Sequence, residues 1–214
     1  MRNKYKSILF DLDGTLTDSG PGITRCASLA LDAMGIAYPS KEALGVFVGP
    51  PLVCSFSRFG VPEDRIEEAI RIFRTHYNAG GKFENTPYEG IRELLGRLQQ
   101  EGYKIYVATS KPEGTAKEVL NRFGMTDYFD EICGATLDHS RENKSAVIAY
   151  LLEKIGGAGR PVMIGDTVFD VQGAAKFGIP CIGVTWGYGV EQEMRDAGAV
   201  GIARTMEELY ELLH

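Results

Sequence analysis

Phe10-Asp11-Leu12-Asp13-Gly14-Thr15-Leu16-Thr17 is the stretch on which the reading of this chain turns. Ser7-Ile8-Leu9-Phe10 leads into it, a short apolar run of the kind a buried strand makes. Two carboxylates, Asp11 and Asp13, therefore leave the tip of a strand where the chain turns at Gly14. In an open α/β sheet ligands bind outside the carboxyl ends of the strands. Carboxylates one residue apart at such a tip suit a hard cation such as Mg²⁺, which prefers oxygen ligands. Alternatively, one acts as a nucleophile and the other as acid and base. A surface turn rich in Asp and Gly has the same local pattern, so the rest of the chain has to separate these readings.

Beyond the motif the period changes from strand to helix. Ile23, Cys26, Ala27, Ala30, Leu31 and Met34 follow helical spacing, and Gly35 is a stop. Gly45 to Pro51 reads as an apolar Gly/Pro-rich loop and a candidate specificity element. Short helices follow, one carrying Leu52, Phe56 and Phe59, the next Ile66, Ala69, Ile70, Phe73 and Tyr77. Residues 18–82 thus form a small helical cap inserted after the first strand, expected to hinge near Thr17–Gly20 and Lys82–Pro87 and to close over the cleft. From there strands and helices alternate. Thr86-Pro87-Tyr88-Glu89 and Ser110-Lys111-Pro112-Glu113 both read as capping boxes that open helices. Strands are expected at Tyr103–Thr109, near 131–135, at Val162–Ile164, at Cys181–Val184 and near Val200–Ala203. Repeated strand–helix units with short links predict an α/β fold, a parallel Rossmann-like sheet covered on both faces, made by 1–17 and 83–214.

Three more polar clusters sit where strands end or helices begin: Thr109 with Ser110, Asp166 with Asp170, and Lys144. Taken singly they read as helix caps or a solvated lysine. Parallel strands, however, place their carboxyl ends on one edge, which brings Asp11, Asp13, Thr109, Asp166 and Asp170 together. Four carboxylates on one edge repel unless a cation sits among them. With a lysine and a hydroxyl beside them they describe a site that handles phosphate.

The composition bounds the partners. The 214 residues are 44% apolar and 24% charged, with a formal net charge of −6. No Lys/Arg block offers a footprint for a nucleic acid polymer. Four cysteines, at 26, 54, 133 and 181, lie far apart and suggest reduced thiols. The basic start, Met1 to Lys6, precedes only four apolar residues, too few for a signal peptide, and no stretch approaches a membrane span. The expectation is a cytoplasmic protein, a monomer or homodimer, that takes a small phosphorylated metabolite.

The strings DLDGTLTDSGPGI, GPPL, YEGI, VATSKP and GDTVFD resemble the haloacid dehalogenase superfamily across essentially the whole chain, in particular its phosphoglycolate phosphatase-like and 5′-nucleotidase-like branch with a small helical cap. The first motif resembles Asp11-Leu12-Asp13-Gly14-Thr15, the second Val107-Ala108-Thr109-Ser110, the third Lys144, and the fourth Gly165 to Asp170 followed by Gly173-Ala174. The resemblance implies a phosphatase in which Asp11 attacks phosphorus to form an aspartyl-phosphate and Asp13 acts as acid and base. It implies Mg²⁺ held by Asp11, the main-chain carbonyl of Asp13 and Asp166, with Asp170 close by. It also implies that Thr109 and Lys144 bind the phosphoryl oxygens, with Gly14, Thr15, Ser110 and Lys111 around the phosphate. Relatives often carry the third-motif lysine in a Lys-Pro-x-Pro string. Here the context is Ser140-Arg141-Glu142-Asn143-Lys144, which leaves Arg141 as a substitute. A phosphosugar mutase of the same fold and a non-enzymatic regulatory relative are the alternatives. A dehalogenase fits less well, because the second aspartate favours phosphotransfer by resemblance.

Overall fold

The computed structural model describes residues 4–138 and 140–214; Met1, Arg2 and Asn3, which begin the basic N-terminal segment, lie outside the described residues, as does His139. Strand β1 (Ser7–Phe10) is followed by the two-residue β2 (Thr17–Asp18) and then by helix α1 (Gly20–Met34), a 3₁₀ turn over Glu42–Phe47, α2 (Leu52–Arg58) and α3 (Ile66–Asn78). The chain returns through β3 (Thr86–Pro87), which pairs antiparallel with β2. It then alternates: α4 (Ile91–Gln100), β4 (Lys104–Pro112), α5 (Glu113–Arg122), β5 (Glu131–Ala135), α6 (Lys144–Lys154), β6 (Pro161–Gly165), α7 (Val168–Ala175), β7 (Cys181–Val184), α8 (Glu191–Asp196), β8 (Gly201–Ala203) and α9 (Met206–Leu213).

Six strands form one parallel sheet in the order β5-β4-β1-β6-β7-β8. Strand β1 is buried along its length because both faces are covered. Ile8 and Phe10 pack with Leu95 of α4 and Leu209 of α9, while Leu9 packs on the other face with Ile148 of α6 and Val171 of α7. This is the period-two alternation of a strand clothed by helices on both sides. The register sets Phe10 beside Val107 of β4 and Ile164 of β6. Asp11 therefore leaves the sheet between the ends of two neighbouring strands.

The inserted helical subdomain has its own apolar core, built from Leu31 of α1, Phe47, Phe56 of α2 and Phe73 of α3. Phe47 meets Phe56 edge-on, with ring centroids 4.9 Å apart, and is 2% exposed. The 3₁₀ turn over Glu42–Phe47 occupies the first part of the segment read above as a loop, because Phe47 is drawn into this core.

Two helix starts differ from the sequence reading. Thr86 and Pro87 do not cap α4; they pair with Asp18 and Thr17, and the Tyr88 N–H donates to the Leu16 carbonyl at 3.2 Å. The helix begins only after Gly90. Likewise Ser110-Lys111-Pro112 is not a cap but the end of β4, whose pairing with β5 shifts register after Thr109 and resumes at Pro112 opposite Ala135. Glu113 turns its carboxylate to Lys117 and Arg141 instead of closing a box. Long-range backbone pairing outcompetes the local capping signal at both places.

Candidate active site

Asp11 is the first residue past β1 and is almost fully buried. Its Oδ1 accepts the Leu12 N–H at 2.7 Å and lies 2.7 Å from Lys144 Nζ. Lys144, the first residue of α6, reaches across the sheet edge and is equally buried. Its ammonium also lies 2.8 Å from Asp170 Oδ1 and donates to the Ala108 carbonyl at 2.9 Å. Asp170 Oδ2 accepts from the main-chain N–H and the hydroxyl of Thr167, at 3.0 and 2.9 Å, which locks the first turn of α7. Arg141 is elsewhere engaged. It donates to the Gly134 carbonyl at 2.7 Å and to Glu113 at 2.9 Å, so it braces the loop between β5 and α6.

Asp11, Asp166 and Asp170 each offer a carboxylate oxygen, all within 4.8 Å of one another. Burial pushes the Asp11 carboxyl up to about 6, opposed by Lys144 and assisted by the charge of Asp170. Burial, reinforced by Asp170 and Asp11, drives Asp166 well above the usual carboxylate range. Burial disfavours the Lys144 ammonium, but the two aspartates outweigh it and raise its affinity for the proton. One lysine thus faces three carboxylates. An all-oxygen donor set with surplus negative charge suits a hard divalent cation, and Mg²⁺ fits it.

That fit has a pH signature. Without metal, the folded Asp11 pKa lies above its ordinary 3.8, near 6. The metal-free native state therefore keeps a proton that the unfolded chain has lost, and this contribution to stability is lost as pH rises through about 6. Metal binding needs the ligands ionised and strengthens over the same window. The gain in Tm on adding Mg²⁺ is expected to be larger at about pH 7.5 than at about pH 5. Equal gains at both values would contradict ligation through these carboxylates.

The second aspartate has a different partner. Both Asp13 oxygens are held by Lys111 Nζ, at 2.8 and 2.9 Å, and Lys111 also meets the Tyr77 hydroxyl on α3. Asp13 thus stands apart from the carboxylate cluster, and only its main-chain carbonyl is left for the metal role implied by resemblance. Thr109 is buried, and its hydroxyl oxygen accepts the Lys111 N–H at 3.2 Å. Ser110 and Lys111 line a cavity of about 470 Å³ between the helical subdomain and the sheet edge. Thr15 does not face that cavity: it is fully buried and its hydroxyl donates to Asp166 at 3.3 Å. Gly14 has φ +82°, and a Cβ there would fall 2.2 Å from Asp166 Oδ2, so glycine is needed twice over.

Sequence reasoning missed the loop 185–190 behind β7. The Trp186 indole donates to the Thr15 carbonyl at 3.1 Å, and the Tyr188 main-chain N–H donates to Asp166 Oδ2 at 2.8 Å. A Cβ on Gly187 would lie 2.3 Å from that same oxygen, and one on Gly189 would lie 1.8 Å from the Asp166 carbonyl. The Gly-x-Gly spacing after a strand was the available signal, since closely approaching backbone demands glycine.

Comparison with known proteins agrees with this geometry. A family described as haloacid dehalogenase-like hydrolase matches residues 8–184. A 5′-nucleotidase of Pseudomonas aeruginosa is 43% identical over 194 residues, 90% of this chain and 88% of its own length. Tyrosine-protein kinase PtkA of Mycobacterium tuberculosis is 40% identical over 209 residues, 96% of this chain and 72% of its own. Among solved structures, a predicted phosphatase from Clostridium acetobutylicum superposes with a TM-score of 0.93 at 41% identity, over 97% of both chains.

Proposed function

The chain belongs to the haloacid dehalogenase-like hydrolases, and from that premise we propose that it is an Mg²⁺-dependent phosphatase of nucleoside 5′-monophosphates that works through an aspartyl-phosphate, the acyl phosphate of Asp11. The observation that carries the reaction is the buried Asp11 carboxylate at a strand tip, paired with Lys144 and grouped with Asp166 and Asp170. One Asp11 oxygen attacks phosphorus in line as the bond to the leaving oxygen breaks, and Asp13 gives that oxygen its proton. A water then attacks the same phosphorus, Asp13 takes its proton, and the bond to Asp11 breaks to release phosphate. Mg²⁺, held by Asp11, Asp166, Asp170 and the Asp13 carbonyl, would mask the charge of nucleophile and phosphate.

Other residues prepare these steps. Lys144 orients Asp11 and offsets the negative charge that collects around phosphorus. Thr109 keeps its hydroxyl hydrogen for a phosphoryl oxygen, since its oxygen already accepts from Lys111. Lys111 fixes the Asp13 carboxylate through both oxygens, and an arriving phosphate dianion competes for the same ammonium. The helical unit, 18–82, closes over the cavity and excludes water.

The cavity argues for the substrate class. A two-carbon phosphate such as phosphoglycolate would leave most of its ~470 Å³ to water. Its wall is largely apolar, with Leu52 and Val53 of α2 and Ile70 and Phe73 of α3, and suits a flat base. Arg74 of α3 lines it too, half-buried and without an ion-pair or hydrogen-bond partner among the described residues. A guanidinium so placed serves acceptor atoms on the distal part of the substrate.

The test is phosphate release with Mg²⁺ over nucleoside 5′-monophosphates, phosphoglycolate, sugar phosphates and pyrophosphate. The highest kcat/KM is expected for a nucleoside monophosphate. Arg74→Ala should lower that value about tenfold, close to 1.4 kcal/mol, and change phosphoglycolate turnover much less. A preference for phosphoglycolate with no change of ratio in Arg74→Ala would reject the substrate class. An isomerised sugar phosphate would instead favour a mutase, and transfer of the ATP γ-phosphoryl group to tyrosine would favour a kinase.

A further inference from the structure

Tyr188 touches both the edge of the parallel sheet and the helical subdomain. Its main-chain N–H holds Asp166, and its side-chain hydroxyl donates to Asp18 in β2. Asp18 in turn accepts the Gly20 N–H at 3.2 Å and so fastens the first turn of α1. A Cβ on Gly20 would lie 1.7 Å from the Tyr188 hydroxyl, so the ring is pressed against the start of that helix. The ring also packs against the core of the helical subdomain.

The segment it grips is poorly satisfied by itself. Thr17 Oγ1, Ser19 Oγ and both amide atoms of Asn85 are buried at the two ends of the helical insertion with no hydrogen-bond partner among the described residues. Two side-chain contacts tie the helical segment to the edge of the parallel sheet. Tyr77 with Lys111 is one, and Tyr188 with Asp18 is another.

We propose that Tyr188 is a positioning residue that couples closure of the helical subdomain to the metal-binding carboxylate Asp166. Swinging α1 away pulls Asp18 and Gly20 from the tyrosine ring and loosens the loop 185–190, whose main chain orients Asp166. A cation that fixes Asp166 conversely steadies the loop and holds the subdomain closed. Coupling of this kind is reciprocal: closure tightens the metal by the factor by which the metal favours closure. The inference rests on Asp166 being a metal ligand.

Tyr188→Phe keeps the ring and the main-chain N–H and removes only the tether. Two measurements on the whole 214-residue chain test it, calorimetric titration with Mg²⁺ and amide hydrogen exchange at 18–20 and 84–86 with and without Mg²⁺. In the unaltered protein Mg²⁺ is expected to slow exchange at these hinge amides. In Tyr188→Phe that protection should disappear and the Mg²⁺ dissociation constant rise about fivefold. Asp18→Ala should have the same effect, and the double variant should be no worse than either single one, as expected for one shared interaction. Asp18→Asn, which keeps an acceptor oxygen, should restore the unaltered behaviour. Mg²⁺-dependent protection that survives in Tyr188→Phe overturns the coupling, as does exchange that rises equally with and without Mg²⁺. Failure of the unaltered protein to bind Mg²⁺ would remove the metal reading and the coupling together. Binding without hinge protection would remove the coupling alone.

Discussion

Asp11→Asn is expected to reduce phosphate release by at least about 10⁴-fold while leaving the protein folded. The amide has nearly the carboxylate's size but is a very poor nucleophile, and no other carboxylate replaces it at the tip of β1. Asp166 belongs to a neighbouring strand end and accepts from Tyr188 and Thr15, while Asp13 is held by Lys111. The fold should tolerate the change. An asparagine Oδ1 can still accept the Leu12 N–H, and Lys144 keeps Asp170 and the Ala108 carbonyl. Burial works against the Asp11 charge, so a neutral amide also removes an unfavourable term. The measurements are steady-state phosphate release and thermal unfolding on the same preparation. Near-normal turnover in a folded variant would take the nucleophile's role from Asp11.

The second large effect separates Lys144 from Arg141. Lys144→Ala leaves Asp11 and Asp170 buried without their shared cation. Removing one partner from a buried ion pair costs about 3–5 kcal/mol. The loss of stability should be greatest in chelator and smaller in Mg²⁺, which replaces part of the missing positive charge. Turnover should fall by about 10³-fold or more even with Mg²⁺, comparable to the loss of a preorganised charge-stabilising group. Arg141→Ala removes a brace on the β5–α6 loop, since its partners are the Gly134 carbonyl and Glu113. Its turnover should stay within about threefold of the unaltered protein, the range of a modest positioning change. The reverse pattern, with Arg141→Ala inactive and Lys144→Ala active, would give the phosphate-binding role to Arg141.

The parallel fold was legible because its signals are local. Ile8, Leu9 and Phe10 before Asp11 and the helical spacing of Ile23 to Met34 each declare themselves within a turn or two. The structure adds side-chain caps at two helix starts, where Asn143 accepts the Ala146 N–H at 3.0 Å and Thr205 accepts the Glu208 N–H at 3.1 Å. The two false capping boxes show where such signals fail. Thr86-Pro87 and Ser110-Lys111-Pro112 carry good cap residues, but β2 and β5 supply backbone partners that no local pattern announces.

The site divides along the same line. That Asp11, Asp166 and Asp170 share an edge follows from the sequence alone, because parallel strands aim their carboxyl ends one way, Asp11 and Asp166 leave strand tips, and Asp170 lies in the helical turn just beyond. Which cation each carboxylate meets was decided by tertiary structure. Lys144 crosses to Asp11 and Asp170, Lys111 turns to Asp13, and Arg141 goes to Glu113. Tyr188 reaches Asp166 and Asp18 only when β7 lies beside β6 and the helical subdomain folds back over the sheet edge. Strand period, caps and turn residues are set by each residue's chain neighbours, so they are written locally. A bond between residues 98 or 170 positions apart, as in Lys111–Asp13 and Tyr188–Asp18, depends on how the elements pack; the glycines flanking Tyr188 mark a close backbone approach but do not name its partner.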